Sequence, residues 1–441
     1  MPGATLLLLA AVFAGALLLL RTHERPKTRT AAVVVLGDVA RSPRMCFHVV
    51  SLLRRGWRVV LIGYFDTPLP EILRVRDVKQ VRLWGPPSVL ARLPRALFVL
   101  VALAKVPMQA LSLGWTLLSS SPAPALVLVQ TPPAIPTLGV VRAACAYKRS
   151  VLVVDWHNLG YTLLALRLGA KSALVALAES CERLLGASAD VHLFVTRALR
   201  DYVVARWAPR GATAVLHDRP PQHFQRTSEV EAADLFRRIG ASIWGENPFA
   251  AAERPALVIS ATSWTPDEDM GLLLDAAELY EARAGAIASL PRVELVVTGK
   301  GPLRAAFEAT ARERTAHWQH VRVRTAWVSA EDYPLLLGSA AAGVSLHRSS
   351  SGLDLPMKVV DMLGCAVPVC ALRFPCLGEL IEPGVNGEVF DDAPGLAAAL
   401  ERVLGGPSRA RAGFLGEEPR TWNANWGAVV EPCLPQWLST L

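Results

Sequence analysis

The sequence predicts two α/β halves, each a doubly wound parallel sheet, preceded by one apolar segment that crosses a membrane. Three observations carry that expectation. Strands read as unbroken apolar runs, among them AVVVL, LVLV, VLVV, ALVIS and ELVV, as strands buried on both faces do. Helix-length stretches separate these runs, giving the strand, loop, helix, strand order of a parallel sheet. Residues 3–20 hold no charge and are followed by Arg21, His23, Arg25, Lys27 and Arg29.

That first segment is near the lower length limit for about 30 Å of hydrocarbon. A cleaved signal peptide places its positive charge before the apolar run, and here the charge follows it. A retained single-pass anchor is therefore expected, with the basic flank holding the body in the cytosol. The 441 residues leave room for two or three domains. Net charge is +8 and 52% of residues are hydrophobic. Such a charge suits an anionic membrane surface, nucleotide phosphates or nucleic acid, and does not choose among them. Seven cysteines without a C-x-x-C pair read as reduced thiols, and no Asn-x-Ser/Thr sequon occurs.

The expected organisation is a membrane anchor and flank over 1–30, a first Rossmann-like domain over 31–208, a linker over 209–254, a second domain over 255–405 and a tail over 406–441. In the first domain, AVVVLGDVARSPRM gives a strand, a turn and a helix start. Ligands of such sheets sit at the carboxyl ends of strands, which is where Gly37, Asp38, Arg41 and Ser42 fall. No G-x-G-x-x-G is present, so a dinucleotide is not expected. The apolar stretch from 89 to 118 is broken by Arg92, Pro94, Arg95, Lys105 and Pro107. It divides into a core helix and a helix lying in a membrane interface. Further on, VLVVDWHN ends a strand in Asp155, Trp156, His157 and Asn158. A histidine there can take or give protons near neutral pH. Equally, Asp155 or Asn158 can cap the next helix while His157 stacks on Trp156.

The linker reads as a crossover with one short helix. The second domain opens with ALVISATSWTPDED, whose Asp267, Glu268 and Asp269 are read as partners of a helix dipole rather than metal ligands. In VVTGKGPLR, Gly299 and Gly301 let backbone approach a phosphate and Lys300 can neutralise it. The segment SLHRSSSGLDLPMKVVDMLGCAVPV joins a hydroxyl-rich basic loop to a helix start. Ser350, Ser351, Gly352 and Lys358 read as a phosphate site. Asp361, one turn after Lys358, reads as a ligand of ribose hydroxyls, or else as its ion-pair partner.

These motifs resemble the B-type glycosyltransferases, two Rossmann-like domains facing a cleft. DMLGCAVPV is similar to their E-A-M-A-x-G-x-P-V ending, with Asp361 in place of the glutamate. GDVARSPRM, DWHNLGY, TSWTPDED, TGKGPL and SSSGLDLPMKVVDM together resemble the dolichol-pathway β-1,4-mannosyltransferase family from Ala31 onward. The resemblance implies an inverting transfer of mannose from GDP-mannose to dolichyl-diphosphate-chitobiose on the cytosolic side of the endoplasmic reticulum membrane. It implies a lipid-surface contact, a complex with other dolichol-pathway glycosyltransferases, no nucleic-acid partner, no bound metal and no tight cofactor, a divalent cation being at most stimulatory. The tail, with Trp422, Trp426 and Trp437, would cross back to the first domain.

Retaining relatives carry two glutamates, the first of which would fall on Leu353, with Asp354 one position off. Its absence speaks against a retaining nucleotide-sugar transferase. Intact His157, Lys358 and Asp361 speak against a catalytically silent membrane-bound scaffold. The candidates for the base rank as Asp38, on the expected acceptor side, then His157, which in relatives tends to contact the donor sugar, then Asp354, where nearby cations would lower its basicity. Gly37, Arg41 and Asn158 complete the acceptor-side loops.

Overall fold

The computed structural model describes residues 24–74, 76–85, 98–250, 253–265, 268–347, 351–405 and 421–441. The apolar run 3–20, Ser350 and Asp267 lie outside them. Among the described residues no helix is long and apolar enough to cross a membrane. The chain forms two compact units, Met1–His217 with Asn423–Leu441, and Asp218–Trp422.

The first unit is built on a seven-stranded parallel sheet in the order β3-β2-β1-β4-β5-β6-β7. Its strands are β1 (Thr30–Asp38), β2 (Arg58–Tyr64), β3 (Lys79–Arg82), β4 (Leu126–Thr131), β5 (Val151–Trp156), β6 (Val191–Phe194) and β7 (Ala212–Val215). Central β5 is buried along its whole length, which is why it reads as an apolar run. The order reverses at β1, whose neighbours are β2 and β4, so the switch point lies at the carboxyl ends of β1 and β4. Helix α1 (Pro43–Arg54) follows β1 and has Pro43 in its first turn, where a missing N–H costs nothing.

Two features differ from expectation. β7 extends the sheet past residue 208, and its four residues are half-buried or exposed, so this edge strand carries no apolar signature. The stretch expected to divide in two is one helix over its described part, α2 (Phe98–Ser119), running through Pro107. Leu113 and Leu117 of α2 are buried while Leu111 and Trp115 are exposed. Burying two leucines contributes roughly 3–6 kcal/mol, enough to offset the cost of about 3 kcal/mol for an internal proline.

The second unit holds a six-stranded parallel sheet in the order β10-β9-β8-β11-β12-β13. The strands are β8 (Ala256–Ala261), β9 (Val293–Thr298), β10 (Val321–Ala326), β11 (Ala342–Ser345), β12 (Val369–Leu372) and β13 (Gly387–Phe390). Leu273, Tyr280, Leu396 and Leu400 cover one face, and Leu235, Phe236, Leu336, Val359 and Leu363 the other. The switch point falls between β8 and β11, which pair directly. The expected short linker helix is a 16-residue one (Glu229–Trp244), opened by a capping box between Ser228 and Glu231 and anchored through Leu235, Phe236 and Trp244.

Candidate active site

In the first unit the chemistry gathers around Asp155. Its carboxylate is fully buried at the carboxyl end of β5. Arg44 of α1 donates to it twice, from Nε and Nη2, each at 2.8 Å, and gives Nη1 to the Leu216 carbonyl. His48, one turn further along α1, places Nε2 3.0 Å from Oδ2, and His157 places Nε2 2.7 Å from the same oxygen. Burial alone would raise the Asp155 pKa, yet Arg44 and the two imidazoles hold it well below the ordinary carboxylate range. An ionised carboxylate only accepts, so each imidazole presents an N–H to it.

The tautomer of His48 follows from its other nitrogen. Trp426 donates its indole N–H to His48 Nδ1 at 2.9 Å, so the ring proton sits on Nε2. Burial lowers the pKa of His48, which favours this neutral form. His157 differs in that its side chain is partly exposed. With Nε2–H given to Asp155, the neutral ring keeps a lone pair at Nδ1. Trp156 faces away, stacked with His192 and Phe194, because successive strand side chains point to opposite faces. The sequence alternative in which His157 stacks on Trp156 is thereby set aside.

Asp38 lies at the end of β1 with its carboxylate bonded by the Thr67 hydroxyl and backbone N–H. The Thr67 hydroxyl bond is the main cause that lowers its pKa. Exposed Arg41 approaches to 3.6 Å. Gly37 precedes Asp38 in the same strand end. Asn158 folds its Oδ1 onto the Leu159 N–H, and neither it nor Asp155 caps the next helix, α3 (Gly160–Leu168). Glu182 does so from a distance, accepting from Gly160 N–H at 2.7 Å and Tyr161 N–H at 3.5 Å. Burial pushes Glu182 up to about 7.

In the second unit, Lys358 is in the first turn of α4 (Met357–Gly364) and meets Glu268 at 2.6 Å. Glu268 comes from the loop after β8 and α4 from the loop after β11, so the pair joins the two sides of the switch point. The Glu268 carboxylate also accepts from Ser263 N–H and the Thr262 hydroxyl. Asp269, beside it, caps the following helix through Gly271 and Leu272 N–H. Among the described residues no group of three or more His, Cys, Asp or Glu is placed to hold a metal ion.

Gly299 and Gly301 have a local use. A Cβ on Gly299 would lie 1.8 Å from the Thr262 carbonyl oxygen, and one on Gly301 2.0 Å from that of Ser263. The glycines therefore let the loops after β8 and β9 touch each other. Lys300 between them sets its ammonium 4.1 Å from the Trp327 ring centroid. Ser351 donates to Asp354 at 3.3 Å and accepts from Leu353 N–H, across Gly352 at φ +72°. Lys358 pairs with Glu268, and the expected Lys358–Asp361 ion pair is not formed. Burial first, and Asp218 second, raise Asp361 to about 7.

Sequence reading passed over Arg44, His48, Glu182 and Trp327, and took Glu268 for a helix-dipole partner rather than the partner of Lys358. Arg44 and His48 stand four apart after Pro43, a spacing that puts both on one helix face. Their acid, Asp155, is more than a hundred positions away, and nothing local signals the pairing.

Residues 254–405 match the family model described as glycosyl transferases group 1. A Mus musculus protein named chitobiosyldiphosphodolichol beta-mannosyltransferase is 39% identical, the match covering 94% of this chain and 91% of that protein. An Arabidopsis thaliana protein named UDP-glycosyltransferase TURAN is 37% identical over 94% of this chain and 99% of its own. Among solved structures, Anabaena HepE in complex with UDP and glucose aligns with a TM-score of 0.58 over 87% of this chain and 92% of that one. At 16% identity this last likeness speaks to the fold, two Rossmann-like units of the B-type glycosyltransferases.

Proposed function

The chain belongs to the chitobiosyldiphosphodolichol β-mannosyltransferase family and is a glycosyltransferase, and from that premise we propose that it transfers mannose from GDP-mannose to GlcNAc2-diphosphodolichol with inversion. The product carries a β-1,4-mannosyl linkage. The observation that carries the donor side is the Lys358–Glu268 junction at the switch point of the second sheet, where parallel α/β sheets bind their ligands. Lys358 exchanges Glu268 for the diphosphate as negative charge builds on the leaving group. Asp361 accepts from the ribose hydroxyls, and the Ser351–Gly352 loop serves the phosphates.

The acceptor hydroxyl attacks the anomeric carbon, the bond from that carbon to the diphosphate oxygen breaks, and its electron pair leaves with GDP. The hydroxyl proton passes to a base. His157 now ranks ahead of Asp38 for that part, because Asp155 fixes its ring while leaving Nδ1 a lone pair, and Thr67 weakens Asp38 as a base. Asp354 stays third. A well-placed base contributes about 10²–10⁴-fold. The apolar run 3–20 anchors the chain in the endoplasmic reticulum membrane with the body on the cytosolic side, where it meets the lipid-linked acceptor and other enzymes of that assembly line.

The test offers purified full-length chain GDP-mannose, UDP-glucose and UDP-GlcNAc with lipid-linked chitobiose. A β-mannosyl product from GDP-mannose alone is expected. An α-linked product refutes inversion, and transfer from a UDP-sugar alone refutes the donor.

A further inference from the structure

Trp327 is the first residue past β10 and more than half of its surface is exposed, at 58%. The side chain that follows, Val328, packs against the core, so the chain turns one residue inward and holds the indole outward. An exposed tryptophan forgoes a large burial gain, and this one is not left to move freely. The Lys300 ammonium sits over its ring at 4.1 Å. Gly299 N–H donates to the Ala326 carbonyl at 3.2 Å, which ties the Lys300 turn to the strand end that carries the indole. All six strands are parallel, so their carboxyl ends share one edge of the sheet. Along that edge β10 stands two strands from β8, about 10 Å from the Lys358–Glu268 junction at roughly 4.8 Å per strand. A nucleotide has its diphosphate and base separated on this scale.

We propose that Trp327, steadied by Lys300, is the platform on which the donor's nucleobase stacks, and that it sets the preference of this site for a purine over a pyrimidine. The inference rests on the nucleoside-diphosphate-sugar reading of the same site. A purine's two fused rings cover more of an indole than a pyrimidine's single ring, and stacking needs no hydrogen-bond partner from the protein.

Isothermal titration calorimetry with GDP, UDP and inorganic pyrophosphate on the detergent-solubilised full chain tests it, comparing wild type with Trp327→Ala and Trp327→Phe. Trp327→Ala is expected to weaken GDP about 5- to 150-fold, the effect of losing one stacked base. UDP should weaken less, pyrophosphate should not change, and Trp327→Phe should recover part of the loss. Equal weakening of pyrophosphate and GDP, or GDP affinity unchanged in Trp327→Ala, overturns the platform while leaving the donor reading standing. Wild type that binds neither nucleotide overturns both. Unfolding midpoints of the variants within about 2 °C of wild type are expected, since surface changes stay within about 0.5 kcal/mol.

Discussion

Arg44→Met removes the guanidinium from the buried Asp155 cluster while keeping much of the length of its stem. Asp155 loses two hydrogen bonds and the Leu216 carbonyl loses one, yet the carboxylate stays fully buried. Breaking a buried pair on one side costs about 3–5 kcal/mol, because a charge is left without its partner. His48 and His157 still donate to Asp155, which places the expectation at the lower end, about 3 kcal/mol. At about 2–4 °C per kcal/mol for a unit of this size, the unfolding transition of the first unit should fall by about 6–12 °C. In Arg44→Met combined with Asp155→Leu both charges leave together, and the combined loss should be well below the sum of the two single losses. Scanning calorimetry on the full chain reads both quantities. A single variant that melts within about 2 °C of wild type, or a strictly additive double, would refute the view that this cluster is a mutually dependent charge set.

His157→Asn and Asp38→Asn separate the candidate bases: the first should cut turnover at least about a hundredfold with GDP affinity kept, the second far less, and the reverse result returns the base to Asp38. Lys358→Ala should slow turnover about 10²–10³-fold, whereas Glu268→Gln, which frees the ammonium, should bind GDP at least as tightly as wild type; weaker binding would make Glu268 a direct ligand. Glu182 keeps its proton to about pH 7 when folded and to about 4.5 when unfolded. Over that window the unfolded chain alone releases the proton, so this group makes stability fall as pH rises, by up to about 3 kcal/mol. Denaturant titrations of Glu182→Gln should show it gaining on wild type between pH 5 and 8; a constant gap would mean that Glu182 is ionised throughout. Protease added to sealed microsomes should digest the body, and full protection would reverse the assigned topology.

Much of the architecture could be read because fully buried parallel strands leave long apolar runs, as β1, β4, β5, β8 and β9 do. The edge strand β7 left none, since half-buried ATAV resembles any loop. Pro107 looked like a break because local propensity disfavours it, and tertiary burial of Leu113 and Leu117 overrode that. At the site, the positions of Asp38, His157, Lys300 and Lys358 at strand ends and helix starts followed from periodicity. Their partners did not. Thr67, Trp327 and Glu268 reach them across loops, as Arg44 and His48 reach Asp155 from more than a hundred positions away, and one sequence holds no record of which side chains converge. The three adjacent acids after Pro266 show the limit well: dipole complementarity accounts for Asp269, which caps, but Glu268 is committed to Lys358 ninety positions on.

The indole of Trp426 has a consequence for how the protein is made. Synthesis proceeds from the N-terminus, and domains ordinarily fold in that order as they emerge. Here the donor that completes His48 is synthesised only after the whole second unit, as is Asn425, whose amide bonds the His217 carbonyl. A nascent chain that already carries every strand of both sheets still lacks that closing contact, and its first domain must wait through the synthesis of the whole second one. A nonsense or frameshift lesion shortly before residue 426 therefore damages the earliest-made domain, at a histidine nearly four hundred residues upstream of the error.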